Sequence, residues 1–141
     1  MNEPRELTVD ECLDHLAGEV LGRLAIVTPD GPRIVPLNYA LVDDTIALRT
    51  TAYSEVTRHA LDKQVAFEVD SVDHARQTGW SVVVIGTLGE PTPAEMAGLR
   101  NQWVPQPWAG GVRNRYLQLR WREVTGRRLG DLVAVPPRRV L

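Results

Sequence analysis

The stretch LGRLAIVTPDGPRIVPLNYALVDDTIALRT, residues 21–50, decides the fold. It holds three extended runs, residues 21–28, 33–41 and 45–50, rich in apolar and β-branched side chains. Pro29-Asp30-Gly31 is a turn signal between the first two, and Asp43-Asp44 breaks the second from the third. The gaps are too short for a crossover helix, so the runs form an antiparallel meander. Pro36 cannot donate to a ladder and needs an edge or a bulge.

Working outward, residues 64–69 and 81–88 are strand-like, with a polar loop over residues 70–79 between them. Residues 116–124 alternate, with Leu117, Leu119 and Trp121 on one face and Gln118, Arg120 and Arg122 on the other. Three short helices punctuate the strands. Thr8 and Glu11 make a capping box for residues 7–17, where Leu7 staples onto Cys12. Ser54 caps residues 54–61, and Thr92-Pro93-Ala94-Glu95 opens a helix running to about Trp103. Residues 104–112 hold two prolines and two glycines and form a loop; the tail from about residue 130 is loosely held. No alternation of strands with long helical crossovers is present, which disfavours a doubly wound parallel sheet. The pattern is mainly β: a small six-stranded antiparallel barrel with short peripheral helices, in one domain spanning residues 1–141.

Composition narrows the function. Hydrophobic content of 43% and charged content of 24% suit a globular chain. Sixteen basic and 18 acidic residues give a formal net charge of −2, which provides no global field for nucleic acid or anionic membrane. Lys63 is the only lysine, so almost all positive charge is arginine, suited to bidentate grip on phosphate or carboxylate. Cys12 is the only cysteine and lies on an apolar helical stripe, as inert core. The opening MNEPREL lacks an apolar leader, and no stretch reaches a membrane span. The expectation is a soluble, cytoplasmic protein.

No dinucleotide fingerprint G-x-G-x-x-G, P-loop or H-E-x-x-H occurs. Gly79-Trp80-Ser81 begins like a nucleophile elbow but has Val83 where the second glycine belongs. His15, His59 and His74 are dispersed and lack metal-ligand spacing, so no metal is expected; His15 follows Glu11 by one turn as a surface pair. The segment Arg49-Thr50-Thr51-Ala52-Tyr53-Ser54 gathers an arginine and several hydroxyls at a helix start. Such a junction supplies charge and hydrogen bonds for a phosphate. The same letters also make an ordinary capped strand-to-helix junction.

The ordered set Leu21-Gly22-Arg23-Leu24-Ala25, Asp30 to Tyr39, Ile46 to Thr50, Val65 to Asp70, Gly79 to Val82 and Val124 to Arg128 resembles the FMN-binding split-barrel proteins of the pyridoxamine 5′-phosphate oxidase-like group. The likeness covers about residues 7 to 130. It implies a six-stranded split barrel that forms a homodimer with FMN at the interface. It places Pro36, Leu37 and Asn38 beside the flavin ring, and Arg49, Thr50, Thr51 and Ser54 on the phosphate and ribityl chain. It brings Trp80 and Ser81 near the flavin, though Trp80 suits a core or dimer-interface role equally. Trp108 reads as an interface anchor.

One departure stands out. The group often has a glycine and a basic residue around the phosphate turn, where this chain reads Tyr53-Ser54-Glu55. A carboxylate replaces a cation beside a dianion. The resemblance implies an FMN-dependent oxidoreductase acting on a small organic substrate, with no side chain marked as catalytic. The alternatives are a reductase using the deazaflavin cofactor F420, to whose anionic tail Arg127 and Arg128 would contribute, and a flavin-binding protein without turnover. Haem is a further option within such barrels, with His59 or His74 as the only guesses for a ligand.

Overall fold

The computed structural model describes residues 3–102, 105–111 and 113–130. After a short strand β1 (Pro4–Glu6) and helix α1 (Val9–Ala17), the meander appears as β2 (Leu21–Thr28), β3 (Gly31–Val42) and β4 (Thr45–Thr50). Helix α2 (Glu55–His59), strands β5 (Gln64–Asp73) and β6 (Thr78–Gly89), helix α3 (Pro93–Gln102) and the long strand β7 (Arg115–Leu129) complete the order. All pairings are antiparallel. The sheet runs β1-β7-β4-β3-β2-β5-β6, and β6 also pairs with β7, so six strands close into a ring. These six are the strands expected from the sequence. Strand β1 is a seventh, pairing Pro4 to Glu6 with Leu129 to Arg127. Strand β7 exchanges partners along its length: its first half pairs with β4 and its last residues with β1, while β6 follows its other side.

Inward side chains form one core. Leu24, Ile26, Ile46, Leu48, Phe67, Val84, Leu117 and Leu119 are buried inside the ring, and α1 and α2 add Cys12, Leu13, Leu16, Val56 and Ala60. Burying a side chain of this size is worth about 1.5–3 kcal/mol. The capping box of α1 is present, with Thr8 Oγ1 accepting from Glu11 N and the Glu11 carboxylate accepting from Thr8 N. Tyr39, from β3, donates its hydroxyl proton to the Leu16 carbonyl at 2.5 Å and pins α1 to the barrel. Helix α3 covers the outside of the β4–β7 pair, where Leu99 packs on Ala47 and Tyr116.

Two expectations need correction. Residues 70–79 are not a loop throughout: β5 and β6 continue as a paired ribbon to Asp73 and Thr78, and only residues 74–77 form the turn. His15 is not on the surface; it is 7% exposed and stacks on Trp80, with ring centroids 4.2 Å apart. The alternation along β7 holds through Trp121 and changes phase only beyond it. A register shift opposite Ile85 and Gly86 leaves Arg122 unpaired, so Trp121 and Val124 both pack against the core. A Cβ on Gly86 would lie 2.1 Å from the Arg120 carbonyl oxygen, so that close approach needs glycine. Pro36 does sit on a locally open edge: it pairs with Arg23 of β2, and the ladder to β4 begins only at Tyr39. The expected tail and the end of the third helix at Trp103 lie outside the described residues.

Candidate functional site

The end of β4 turns into α2 at Thr51–Ser54, and the loop ahead of β7 folds back over this junction. Between them lies a cavity of about 250 Å³. Its walls include Pro36, Leu37 and Asn38 from β3, Arg49 and Thr50 from β4, Ser54 from the turn, Glu55 from the start of α2, and Pro107, Ala109 and Arg113 from the loop. Six of the nine residues expected at a cofactor site therefore meet here.

The loop is tied down by two of them. Arg49 donates from Nε to the Arg113 carbonyl at 2.7 Å, reaches the Pro105 carbonyl with Nη1 at 3.4 Å, and lies 5.0 Å from the centre of the Tyr116 ring. Asn38 accepts from Trp108 N at 2.7 Å with Oδ1 and donates from Nδ2 to the Val20 carbonyl at 3.1 Å. Trp108 itself is 70% exposed. Arg49 is thus as much a clasp for the loop as a free cation, although carbonyl partners leave its charge in place.

The hydroxyls behave differently from expectation. Thr57 Oγ1 donates to the Thr51 carbonyl at 2.9 Å. A hydroxyl has one proton, so the 3.1 Å contact between Ser54 Oγ and Thr57 Oγ1 uses the Ser54 proton. Ser54 Oγ also accepts from Thr57 N. In this arrangement Ser54, the cap of α2, has spent its proton on Thr57 and has no donor left for a ligand. Thr51 is not among the cavity walls. Helix α2 spans only Glu55–His59, too short to bring much of a dipole to bear.

Arg113 is the residue that sequence reading missed. Its Nε is buried and has no hydrogen-bond partner, alone in this among the described buried side-chain atoms. A buried orphan N–H costs about 1–3 kcal/mol, which an anionic ligand in the cavity would recover. No pattern marks Arg113 in the sequence, because the loop reaches the cavity only when β7 closes the ring.

Trp80 and Ser81 are not at this cavity. They line a second, larger concavity of about 610 Å³ along the β5–β6 ribbon and the end of β7, together with Asp70, His74, Arg127 and Arg128. Trp80 is held there by its stack on His15. Burial lowers the His15 pKa, with nearby Arg128 acting in the same direction against Glu11 and Asp14. On the outer face of β2 and β5, Arg23 donates from Nε to Glu68 at 2.8 Å, and its Nη2 lies 3.1 Å from Asp70. Burial raises the Glu68 pKa, helped by its hydrogen bond to Asp70 and opposed by Arg23. Among the described residues, no three His, Cys, Asp or Glu side chains are grouped to hold a metal ion, and no helix is long and apolar enough to cross a membrane.

A six-stranded antiparallel ring closed by the β6–β7 pairing defines a split barrel. Residues 8–128 match the pyridoxamine 5′-phosphate oxidase family, and the chain belongs to it. An uncharacterized protein of Mycobacterium tuberculosis is 33% identical over 129 residues, covering 88% of this chain and 84% of that one. The solved structure of the FAD binding protein from Mycobacterium smegmatis is similar with a TM-score of 0.74 and 26% identity, over 88% of this chain and 97% of that chain. The FAD and heme binding protein from the same species shares the fold at a TM-score of 0.64 and 16% identity, over 86% of this chain and 71% of that chain.

Proposed function

We propose that this protein binds a flavin nucleotide with a phosphate in the cavity between β3, the β4–α2 turn and the loop of residues 105–111, and serves as a flavin-dependent oxidoreductase on a small organic substrate. The observation that carries the reading is the unpartnered buried Nε of Arg113 in a cavity that Arg49 also lines. Family membership and an FAD binding structural relative support the flavin. FMN and FAD both present such a phosphate.

Bound flavin would supply the redox chemistry. The chain's part is to hold and orient it. Arg113 donates to the phosphate, Arg49 adds charge while keeping the loop in place, and the Pro36–Asn38 backbone forms the adjoining wall. Thr50 adds a hydroxyl side chain at the strand end. Ser54 shapes the turn and donates to the ligand only if it releases Thr57. The lone thiol, Cys12, is buried and its pKa is raised by that burial.

The same reading includes a homodimer. Val27 and Ile34 are 74% and 72% exposed on the outer face of β2 and β3, next to exposed Ala25, Pro32 and Pro36. Register places Ala25 opposite Ile34 and Val27 opposite Pro32, so these side chains form one apolar face beside the cavity. A second copy is the partner proposed for it. Trp80 and Ser81 then serve the flavin only if they come from that copy.

Titration of the purified protein with FMN, FAD and riboflavin, followed by flavin fluorescence, tests the cofactor. Saturable binding of a phosphorylated flavin tighter than riboflavin is expected; equal affinity for riboflavin would show that the cavity is not a phosphate site. Light scattering should give a dimer that Ile34→Asp dissociates, and a monomer at micromolar concentration would overturn the pairing.

A further inference from the structure

We propose that the concavity along the β5–β6 ribbon is a second ligand site, for a small organic carboxylate with an apolar body, and that Arg127 holds the carboxylate. The inference does not rest on the flavin reading above. At about 610 Å³ the concavity falls in the size range of small-molecule sites, about 300–1,000 Å³.

Strand register builds it in rows. Across β5, β6 and β7, Val72 stands opposite Gly79 and Gly79 opposite Leu129. The next row on the same face is Asp70, Ser81 and Arg127. The first row is apolar and open, with Val72 62% and Leu129 37% exposed. Gly79 keeps that row low: a Cβ there would lie 2.7 Å from the Ser71 carbonyl oxygen and 3.0 Å from Val72 Cγ1. An apolar floor bordered by a hydroxyl and a guanidinium fits an amphipathic anion.

The sign of the ligand follows from the charges already in use. Asp70 Oδ1 lies 3.1 Å from Arg23 Nη2. Asp73 accepts from Arg76 N at 3.0 Å and pairs with the Arg76 guanidinium at 3.8 Å. Both carboxylates of the concavity therefore have partners. Among the described residues, no ion pair involves Arg127 or Arg128. Glu6, which β1 sets opposite Arg127, is not one of the walls and makes no such pair. Arg127 and Arg128 are consecutive on β7 and so face opposite sides of it. One guanidinium thus shares the face of the apolar floor with Ser81, which suits a single carboxylate gripped at two points rather than a dianion.

Isothermal titration calorimetry with 1-naphthoate, and with its neutral counterpart 1-naphthalenemethanol, tests the site on wild type, Arg127→Gln, Val72→Asp and Arg122→Gln, with thermal melts to confirm folding. Arg122 is exposed on the same strand but outside the concavity, so its variant removes the same charge elsewhere. Wild type should bind naphthoate saturably and at least about tenfold more tightly than the alcohol. Arg127→Gln and Val72→Asp should each weaken naphthoate about tenfold or more, and Arg122→Gln less than about twofold. Saturating FMN should leave the wild-type affinity unchanged. No saturable binding of naphthoate, equal affinity for acid and alcohol, or equal loss in the two arginine variants would overturn the carboxylate site. Displacement of naphthoate by FMN would overturn it as well, because the concavity would then belong to the flavin.

Discussion

Replacing Arg113 by methionine should move stability and affinity in opposite directions. Methionine keeps much of the aliphatic stem and removes the buried Nε that has no partner. An unsatisfied buried donor costs about 1–3 kcal/mol, so the ligand-free variant should be more stable by about 1 kcal/mol, or about 3–5 °C in melting temperature at this chain length. A hydrogen bond to a charged group is worth about 1.5–3 kcal/mol, so flavin-nucleotide affinity should fall roughly 10- to 150-fold. Ligand at about 100 times the wild-type Kd stabilises wild type by about 2.7 kcal/mol. The same concentration stabilises a variant of about 30-fold weaker affinity by only about 0.9 kcal/mol. The deficit of about 1.8 kcal/mol exceeds the gain of about 1, so the order of melting temperatures inverts when flavin is added. Calorimetry of both proteins with and without FAD reads this directly. A variant less stable than wild type without ligand, or an order that does not invert, would refute the assignment of Arg113 to ligand binding.

Arg49→Ala should weaken FMN about 10- to 100-fold with little effect on riboflavin, and should also loosen the clasp on residues 105–111, seen as faster proteolysis there; unchanged FMN affinity would displace the phosphate from this cavity. Gly86→Ala drives a Cβ to 2.1 Å from a backbone carbonyl at the β6–β7 seam and should cost about 3 kcal/mol, measured by urea unfolding; a wild-type midpoint would show that the seam yields. The Glu11 carboxyl is held at about 2, first by the Arg5 hydrogen bond and then by Thr8 N. Its folded value lies below the unfolded value of about 4.3, so its stabilising contribution is full above that pH and is lost as pH falls toward about 2. Glu11→Gln should therefore flatten the pH dependence of the melting temperature across that window, and an unchanged acid slope would contradict the capping assignment.

The parts of the fold legible in the sequence were those where one residue pattern decides one element. The Thr8–Glu11 box, the Asp30-Gly31 turn and the alternation around Leu117 and Leu119 each act locally, and each appears in place. The ribbon over residues 70–79 was not legible. Asp70, Ser71 and Asp73 are all exposed, and their strand character comes from pairing across the hairpin rather than from a buried face. Strand β1 was hidden for the same reason, because three exposed residues carry no alternation. At the candidate site, Arg49 and Ser54 were readable from a strand end and a helix start, whereas Pro36 and Asn38 came only from the family resemblance; all four line the cavity. Arg113 was not, since its position depends on contacts 64 residues away in sequence. His15 misled because its spacing from Glu11 is as good for a surface pair as for the buried stack it makes with Trp80.

The partner exchange along β7 has a consequence for how the chain matures on the ribosome. Until residues 115–129 emerge, the strands already made can form at most the open order β4-β3-β2-β5-β6, with bare backbone along β4 and β6. One late segment covers both of those margins and then takes up β1, from the beginning of the chain. A chain stalled or cleaved before Arg115 would therefore carry two unpaired strand edges, each open to pairing with another chain.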